Sequence, residues 1–182
     1  GRFMQEAGTD AVKVEGGVNA AHIVSAIVRA GIPVVGHIGL TPQHISQLGG
    51  YKAQGTDLET GSRVIEDALA VEKAGAFAII LECVPDKISK IVTERLKIPT
   101  ISYGAGIHCD GQGLVAHDIL GIFDRFTPKF VKKYSNLGQQ IQGAFEEYVD
   151  DVVSQQFPGN EHTFHIKRDQ LDAVIKRNSQ ID

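Results

Sequence analysis

One short pattern recurs along the chain and constrains its fold more than any other feature. An Ala-Gly pair ends a helix, about two residues turn the chain, and a run of apolar residues leads to a polar one. Clear copies are AGTDAVKVEGG (7–17), AGIPVVGHIGL (30–40) and AGAFAIILECV (74–84), and LKIPTISYGAG (96–106) is a looser copy. Glycine is the usual left-handed stop of a helix, and short β-branched runs are typical of strands buried on both faces. The pattern predicts strands that alternate with helices.

Amphipathic segments fill the intervals between these strands. We predict one helix with Asn19 as its N-cap, a second that opens with a Thr56/Glu59 capping box, and a third whose first turn holds Pro85. Strands and helices in strict alternation indicate a parallel α/β sheet.

Polar residues stand at the carboxyl ends of successive predicted strands, at Glu15, His37 and Glu82. A (β/α)8 barrel carries its active site at this end of its strands. No GxGxxG follows the first strand and no GxxxxGK[ST] is present, which argues against nucleotide-binding folds. We therefore predict an α/β protein of the (β/α)8 TIM-barrel class. Lys13 and Glu15 lie two apart on one strand, so both are expected to point into the barrel near its mouth.

The length predicts that the barrel is incomplete. A barrel of this kind takes about 250 residues, whereas this chain has 182. We predict four clear strands, with a fifth around 121–126, and GRFMQEAG (1–8) has the pattern of the last turns of a helix. We expect a single domain, 1–182, that forms the C-terminal part of a barrel without its N-terminal strands and ends in a helix and a tail.

Charge and cysteine content restrict the partners. The net charge is −4 and no basic stripe occurs, so nucleic acid is not expected. No apolar run is long enough to span a bilayer and no signal peptide is evident, so no membrane partner is expected. Cys83 and Cys109 cannot make a disulfide framework, which favours a reducing, cytoplasmic location.

Six motifs occur in a fixed order and together are highly specific. They are VKVEGG (12–17), GHIGLTPQ (36–43), GGYKAQG (49–55), LECVP (81–85), GAGxxxDGQ (104–112) and FPGNEHTFH (157–165). From about residue 1 to residue 165 the chain resembles the ketopantoate hydroxymethyltransferase family. The resemblance implies a (β/α)8 barrel that transfers a one-carbon unit from 5,10-methylenetetrahydrofolate to 3-methyl-2-oxobutanoate, with Mg²⁺. The product would be 2-dehydropantoate, on the route to pantothenate and coenzyme A.

The resemblance also implies roles for single residues. Lys13 would contact the 2-oxo acid, His37 would approach the same substrate, Glu15 would lie beside the metal, and Glu82 would accept a proton. The family's two other metal-binding residues, both aspartates, would precede residue 1. Tyr103 departs from the family, which usually has an aliphatic residue before GAG. The family further implies a homo-oligomer, a decamer.

The same residue types suit the chemistry without the resemblance. Forming a carbanion next to a ketone requires a base, for which Glu82 is the candidate. The developing negative charge needs a cation, which Lys13 can supply. Mg²⁺ prefers oxygen ligands and suits the Glu15 carboxylate, and His37 can orient a substrate or donate a proton.

Each candidate has a structural alternative. Lys13 and Glu15 can form a buried ion pair that fills the barrel, and His37 can be an ordinary core histidine. Glu82 can cap the helix that follows it. Asp110 is predicted to cap a helix at 111–120.

Two alternative functions stay open. One is a Mg²⁺-dependent carbon–carbon bond enzyme of the phosphoenolpyruvate mutase and isocitrate lyase type, which would need a catalytic cysteine or phosphate-binding arginines. Strand alternation predicts that Cys83 faces away from Glu82, so Cys83 is not expected in the active site and this type of enzyme is disfavoured. The other is a truncated, inactive chain stabilised by contacts with other subunits. The long segment 39–55 is predicted to bind the folate or to contact a subunit.

Overall fold

A computed structural model describes residues 1–44, 52–123 and 125–179. Within these ranges lie five strands: β1 (Val12–Glu15), β2 (Val34–Gly39), β3 (Ala78–Glu82), β4 (Thr100–Tyr103) and β5 (Gly111–Gln112). The same ranges hold seven α-helices: α1 (Arg2–Ala7), α2 (Ala21–Arg29), α3 (Leu58–Lys73), α4 (Asp86–Arg95), α5 (Ala116–Ile119), α6 (Leu137–Val153) and α7 (Arg168–Asn178). Two 3₁₀ turns span Pro42–His44 and Asn160–His162.

The five strands form one sheet in the order β1-β2-β3-β4-β5, and every neighbouring pair is parallel. A doubly wound fold reverses its strand order at a switch point, whereas this order never reverses, as in an arc of a (β/α)8 barrel. The predicted fold class is thus confirmed. The predicted fifth strand is wrong: the fifth strand is Gly111–Gln112, and none of the described residues among 121–126 belongs to a strand.

The two faces of the sheet carry different residues. One face packs against the helices and holds the core, with Val34, Ile38, Ile79 and Leu81 buried against side chains of α2, α3 and α4. The opposite face is the one that a barrel turns inward. The register aligns Lys13 with Val35, Glu15 with His37, His37 with Ile80, and Glu82 with Tyr103, so these residues share that second face. The polar strand-end residues therefore lie on one surface, away from the helices.

Local contacts refine the predicted helix starts. Helix α3 is capped by Asp57, whose carboxylate accepts a hydrogen bond from the Thr60 N–H at 2.8 Å. The predicted Thr56/Glu59 capping box is therefore wrong. Helix α2 has Ala20 at its N-cap, and Asn19 instead accepts a hydrogen bond from the Gly17 N–H. Helix α4 begins directly after Pro85, as predicted within a residue.

The C-terminal helices stand apart from this core. No residue of α6 or α7 is buried. An apolar stripe on α6, defined as Ile141, Phe145, Val149 and Val152, recurs at intervals of three and four residues and is exposed. In the part of the chain that the structure describes, no helix combines the length and apolarity that a membrane crossing requires.

Candidate active site

Three strand-end side chains meet on the face opposite the helices. The Glu82 carboxylate oxygen Oε2 lies 2.9 Å from His37 Nε2, and Glu15 Oε1 lies 3.5 Å from His37 Nδ1. The imidazole thus stands between two carboxylates that come from the strands on either side of β2. Parallel pairing produces this row because the carboxyl ends of β1, β2 and β3 lie along one edge of the sheet.

His37 is the most buried member of the row, at 1 % exposure. Despite the close carboxylates, neither ring nitrogen makes a well-aligned hydrogen bond with the described residues. A buried polar group without such a bond is costly, so an ordinary core histidine would have found a partner. The geometry leaves the ring able to bind a ligand, and His37 also lines a cavity.

Lys13 and Glu15 share a face and lie close, with 3.6 Å between Lys13 Nζ and Glu15 Oε1. The Glu15 side chain is only 6 % exposed, but that of Lys13 is 47 % exposed. Glu15 Oε2 also accepts a hydrogen bond from the Gln43 N–H at 3.2 Å. The pair is therefore not the buried ion pair considered above, because its ammonium group is in contact with solvent and with the cavity.

The turn after Glu15 is shaped by a carboxylate from α3. Asp67 accepts a hydrogen bond from the Val18 N–H at 2.8 Å. A Cβ at position 17 would lie 1.9 Å from the Asp67 carboxyl carbon, so only glycine fits there. Burial raises the pKa of the Asp67 carboxyl, and the hydrogen bond from Val18 opposes that rise. Sequence reasoning missed Asp67, because an acid in mid-helix gives no local sign of what it contacts.

Cys83, directly after Glu82, adopts a φ of 51°, in the left-handed region that non-glycine residues rarely occupy. The turn breaks the strand alternation, so Cys83 lines the same cavity as Glu82 and the prediction that it faces away is wrong. Burial, with the nearby Glu82 charge, raises the pKa of the Cys83 thiol, which keeps it protonated. The Glu82 carboxylate lies against His37, while α4 has no side-chain cap, so Glu82 does not cap that helix.

The row opens into a cavity of about 1200 Å³. Lys13, His37 and Glu82 line one part of it. Val115, Phe123, Phe126, Pro128 and Phe130, from the segment after β5, line another part, and we call these five residues the aromatic wall. Of the predicted binding segment 39–55, Leu40, Pro42, Lys52 and Ala53 line the cavity, and residues 45–51 lie outside the described residues.

The described residues do not form a metal site by themselves. No group of three or more His, Cys, Asp or Glu side chains among them is arranged to hold a metal ion. Glu15 offers one carboxylate, and its oxygens already face Lys13, His37 and the Gln43 N–H. Mg²⁺ requires near-octahedral oxygen coordination, which one such carboxylate does not supply.

Asp110 and the glycine-rich loop after β4 have structural roles. Asp110 accepts hydrogen bonds from the Thr100 N–H at 2.8 Å and from the Thr100 hydroxyl at 3.0 Å, so it joins β4 to β5. The prediction that Asp110 caps a helix at 111–120 is therefore wrong. These bonds lower the pKa of the Asp110 carboxyl. In the loop, the Ser102 hydroxyl accepts from the Ala105 N–H. Gly104 leaves room for the Phe130 ring, which a Cβ would approach to 2.5 Å.

A parallel sheet in barrel order, with acid–base side chains at the carboxyl ends of its strands, defines the class of α/β-barrel enzymes. Comparison with known proteins gives the family. Residues 1–160 match the family model described as Ketopantoate hydroxymethyltransferase. The chain belongs to this family, as its six motifs predicted.

Curated relatives of the same family are similar in sequence over most of this chain. Proteins named 3-methyl-2-oxobutanoate hydroxymethyltransferase are 51 % identical in Carboxydothermus hydrogenoformans and 53 % identical in Syntrophomonas wolfei, each over 174 residues. These matches cover 96 % of this chain and 63 % of each relative. A relative of the same name from Syntrophus aciditrophicus is 53 % identical over 164 residues, or 90 % of this chain and 60 % of the relative. The chain thus spans less than two thirds of the length of these relatives.

Proposed function

We propose that the protein transfers a hydroxymethyl group from 5,10-methylenetetrahydrofolate to 3-methyl-2-oxobutanoate, giving 2-dehydropantoate for pantothenate synthesis. The observation that carries the proposal is the row Glu15–His37–Glu82, which opens into a cavity beside Lys13. Family membership and the name of the relatives support the reaction type.

The proposed reaction starts with proton removal at C3 of the 2-oxo acid. The Glu82 carboxylate accepts this proton, and the electron pair moves onto the 2-oxo oxygen as an enolate. Lys13 provides positive charge for the substrate carboxylate or the enolate oxygen. His37, buried and with both ring nitrogens free of aligned bonds among the described residues, orients the substrate.

Before the carbon–carbon bond forms, water releases the one-carbon unit from the donor as formaldehyde: both bonds from that carbon to folate nitrogens break, the two nitrogens take up the two water protons, and tetrahydrofolate leaves. C3 of the enolate then attacks the formaldehyde carbon, the carbon–oxygen double bond becomes an alkoxide, and the proton held by Glu82 passes to that oxygen. The acid thereby gains CH2O, and the donor gives up CH2 and gains the two hydrogens of water, so the atoms balance.

Mg²⁺ is the metal that the resemblance implies, and when bound to the 2-oxo acid it would stabilise the enolate charge as a Lewis acid. Glu15 would be an outer ligand of it, since the described residues do not form a complete ligand set. Lys13, His37 and Glu82 carry out the steps above. We also propose a cytoplasmic location, in line with a biosynthetic role and with two free cysteines.

Deuterium exchange at C3 of 3-methyl-2-oxobutanoate tests the role of Glu82. We prepare the protein from its complete reading frame and follow the C3 proton signal by NMR in D₂O, without folate. Glu82→Gln keeps the shape of the side chain but removes the base, so we expect exchange to fall by about 100-fold or more. Binding of the 2-oxo acid should change little.

Glu59→Gln is the matched control, because Glu59 is an exposed glutamate of α3 that pairs only with Arg63 among the described residues. It should exchange at the wild-type rate. Wild-type exchange in Glu82→Gln would remove Glu82 as the base, and no exchange by the wild-type protein would overturn the proposed function.

A further inference from the structure

The turn that follows β1, residues 16–18, is held at each of its three backbone N–H groups. Two of the acceptors lie in the sheet or in the turn itself, and the third is a carboxylate on α3, 49 positions further along the chain. The bonds run from the Gly16 N–H to the His37 carbonyl at 3.0 Å, from the Gly17 N–H to Asn19 Oδ1 at 3.0 Å, and from the Val18 N–H to Asp67 Oδ1 at 2.8 Å. Asp67 therefore fixes the turn to helix α3.

Asp67 and Gly17 also fit together in shape. A Cβ at position 17 would lie 1.9 Å from both the carboxyl carbon and Oδ1 of Asp67, and 2.2 Å from its Cβ. The Asp67 side chain thus occupies the space that a side chain at position 17 would take. Contact this close leaves the turn little room to shift along α3.

The position of α3 in the chain gives this contact its importance. Helix α3 connects β2 to β3, the strands that carry His37 and Glu82. Through Asp67 the same helix also holds the end of β1, which carries Lys13 and Glu15. One side chain outside the row therefore links the ends of all three strands that form it.

We infer that Asp67 is a positioning residue of the active site, an inference that rests on the proposed function. By fixing the turn against α3, it sets where β1 places Lys13 and Glu15. Lys13 is the proposed contact of the 2-oxo acid, whereas the proposed base, Glu82, lies on β3. Loss of the Asp67 contact should therefore weaken substrate binding more than it slows proton removal.

Deuterium exchange at C3 of 3-methyl-2-oxobutanoate, measured over a range of acid concentrations, tests this role. In the protein prepared from its complete reading frame, Asp67→Ala should raise the KM of exchange about tenfold and keep the maximal rate within about threefold of the wild type. Asp67→Asn retains an acceptor for the Val18 N–H, so its KM should stay within about twofold of the wild type. A purely structural role would instead reduce the amount of folded protein, which lowers the maximal rate and leaves the KM unchanged.

Gly17→Ala disturbs the same contact from the other side. Its methyl group would push the turn away from Asp67 without altering the carboxylate, so the KM should again rise about tenfold. Glu66→Ala is the matched control, because Glu66 is the exposed neighbour of Asp67 on α3. It should keep the wild-type KM.

Amide hydrogen exchange of the turn separates this inference from the proposed function, because it requires no turnover. Mass spectrometry of peptides that cover residues 12–20 follows the uptake of deuterium. We expect this segment to exchange about tenfold faster in Asp67→Ala than in the wild type or in Asp67→Asn. If the wild-type protein did not exchange the C3 proton, the proposed function would fail, whereas faster amide exchange in Asp67→Ala would still support the role of Asp67 in holding β1.

A wild-type KM in Asp67→Ala would overturn the inference, even if the maximal rate fell. An equal rise of the KM in Asp67→Asn and Asp67→Ala would also overturn it, because the hydrogen bond to Val18 would then not be what positions β1. Unchanged amide exchange of the segment 12–20 in Asp67→Ala would have the same consequence.

Discussion

Glu82 depends on the backbone of the residue that follows it. Three hydrogen bonds fix the peptide groups around Cys83: Leu40 N–H to the Glu82 carbonyl, Cys83 N–H to the Tyr103 carbonyl, and Gln54 N–H to the Cys83 carbonyl. These bonds hold Cys83 in its left-handed conformation, which costs of order 1–3 kcal/mol for a non-glycine residue. Such strain is typical of functional sites, where the surrounding structure imposes the geometry.

Two aspartates near the strand ends should respond to pH with opposite signs. Burial raises the pKa of Asp67 in the folded protein, so its stabilising contribution is present below the unfolded value and is lost as the pH rises through the folded value. Hydrogen bonds from Thr100 lower the pKa of Asp110, so its contribution is present above the unfolded value and is lost as the pH falls through the folded value. The unfolded pKa of aspartate is about 3.9.

We expect Asp67→Asn to gain stability relative to the wild-type protein as the pH rises from about 4 to 7. Asparagine can still accept the hydrogen bond from the Val18 N–H, but it does not ionise in its half-buried position. Asp110→Asn should lose stability relative to the wild type at pH 7, and this deficit should shrink as the pH falls below about 4. Urea unfolding of both variants over this range measures the two trends. If stability changed with pH in the same direction in both variants, the opposite pKa shifts of Asp67 and Asp110 would be contradicted.

At the scale of the elements, strand β2 packs closely against helix α3 at a glycine. A Cβ on Gly36 would lie 2.3 Å from Cγ1 of the fully buried Val71. Gly36→Ala should therefore lower the free energy of unfolding by about 1–3 kcal/mol, the usual cost of overpacking a core. The midpoint of urea unfolding reports this loss.

Gly143→Ala is the control for that substitution. Gly143 lies in α6, and nothing stands within 4 Å of the position a Cβ would take. Alanine is a better helix former than glycine by about 1 kcal/mol, so this variant should be neutral or stabilised. A Gly36→Ala variant as stable as Gly143→Ala would show that the β2–α3 contact relaxes easily.

The sequence predicted those strands and helices whose formation depends on residues close together in the chain. The Ala-Gly stops and apolar runs placed four strands, and the alternation of Lys13 and Glu15 placed both on the face that also carries His37. The two-residue β5 has too little sequence to give a pattern, and its position is fixed by the contact between Asp110 and Thr100. The orientation of Cys83 was mispredicted for a related reason, because hydrogen bonds from residues distant in sequence impose its turn.

For the whole molecule, the apolar stripe on α6 bears on assembly. Ile141, Phe145, Val149 and Val152 are exposed along one side of a 17-residue helix. Exposed apolar stripes of this kind mark association surfaces. We propose that the protein is a homo-oligomer in which a second copy covers this stripe.

Light scattering after size-exclusion chromatography tests the oligomer. We expect the wild-type protein to elute above its monomer mass, and Phe145→Ser to shift the distribution toward smaller species. Phe164→Ser, which changes a fully exposed phenylalanine outside the stripe, should leave the distribution unchanged. A monomeric wild-type protein would contradict the proposal.

The uninterrupted strand order also bears on how the protein is made on the ribosome. Among the five described strands, each of β2 to β5 pairs with the strand synthesised just before it, so none of these four pairings has to wait for a distant later segment. The sheet can therefore grow one unit at a time as the polypeptide emerges. Glu15 and His37 come together first, Glu82 joins them with β3, and the aromatic wall follows when translation has passed β5.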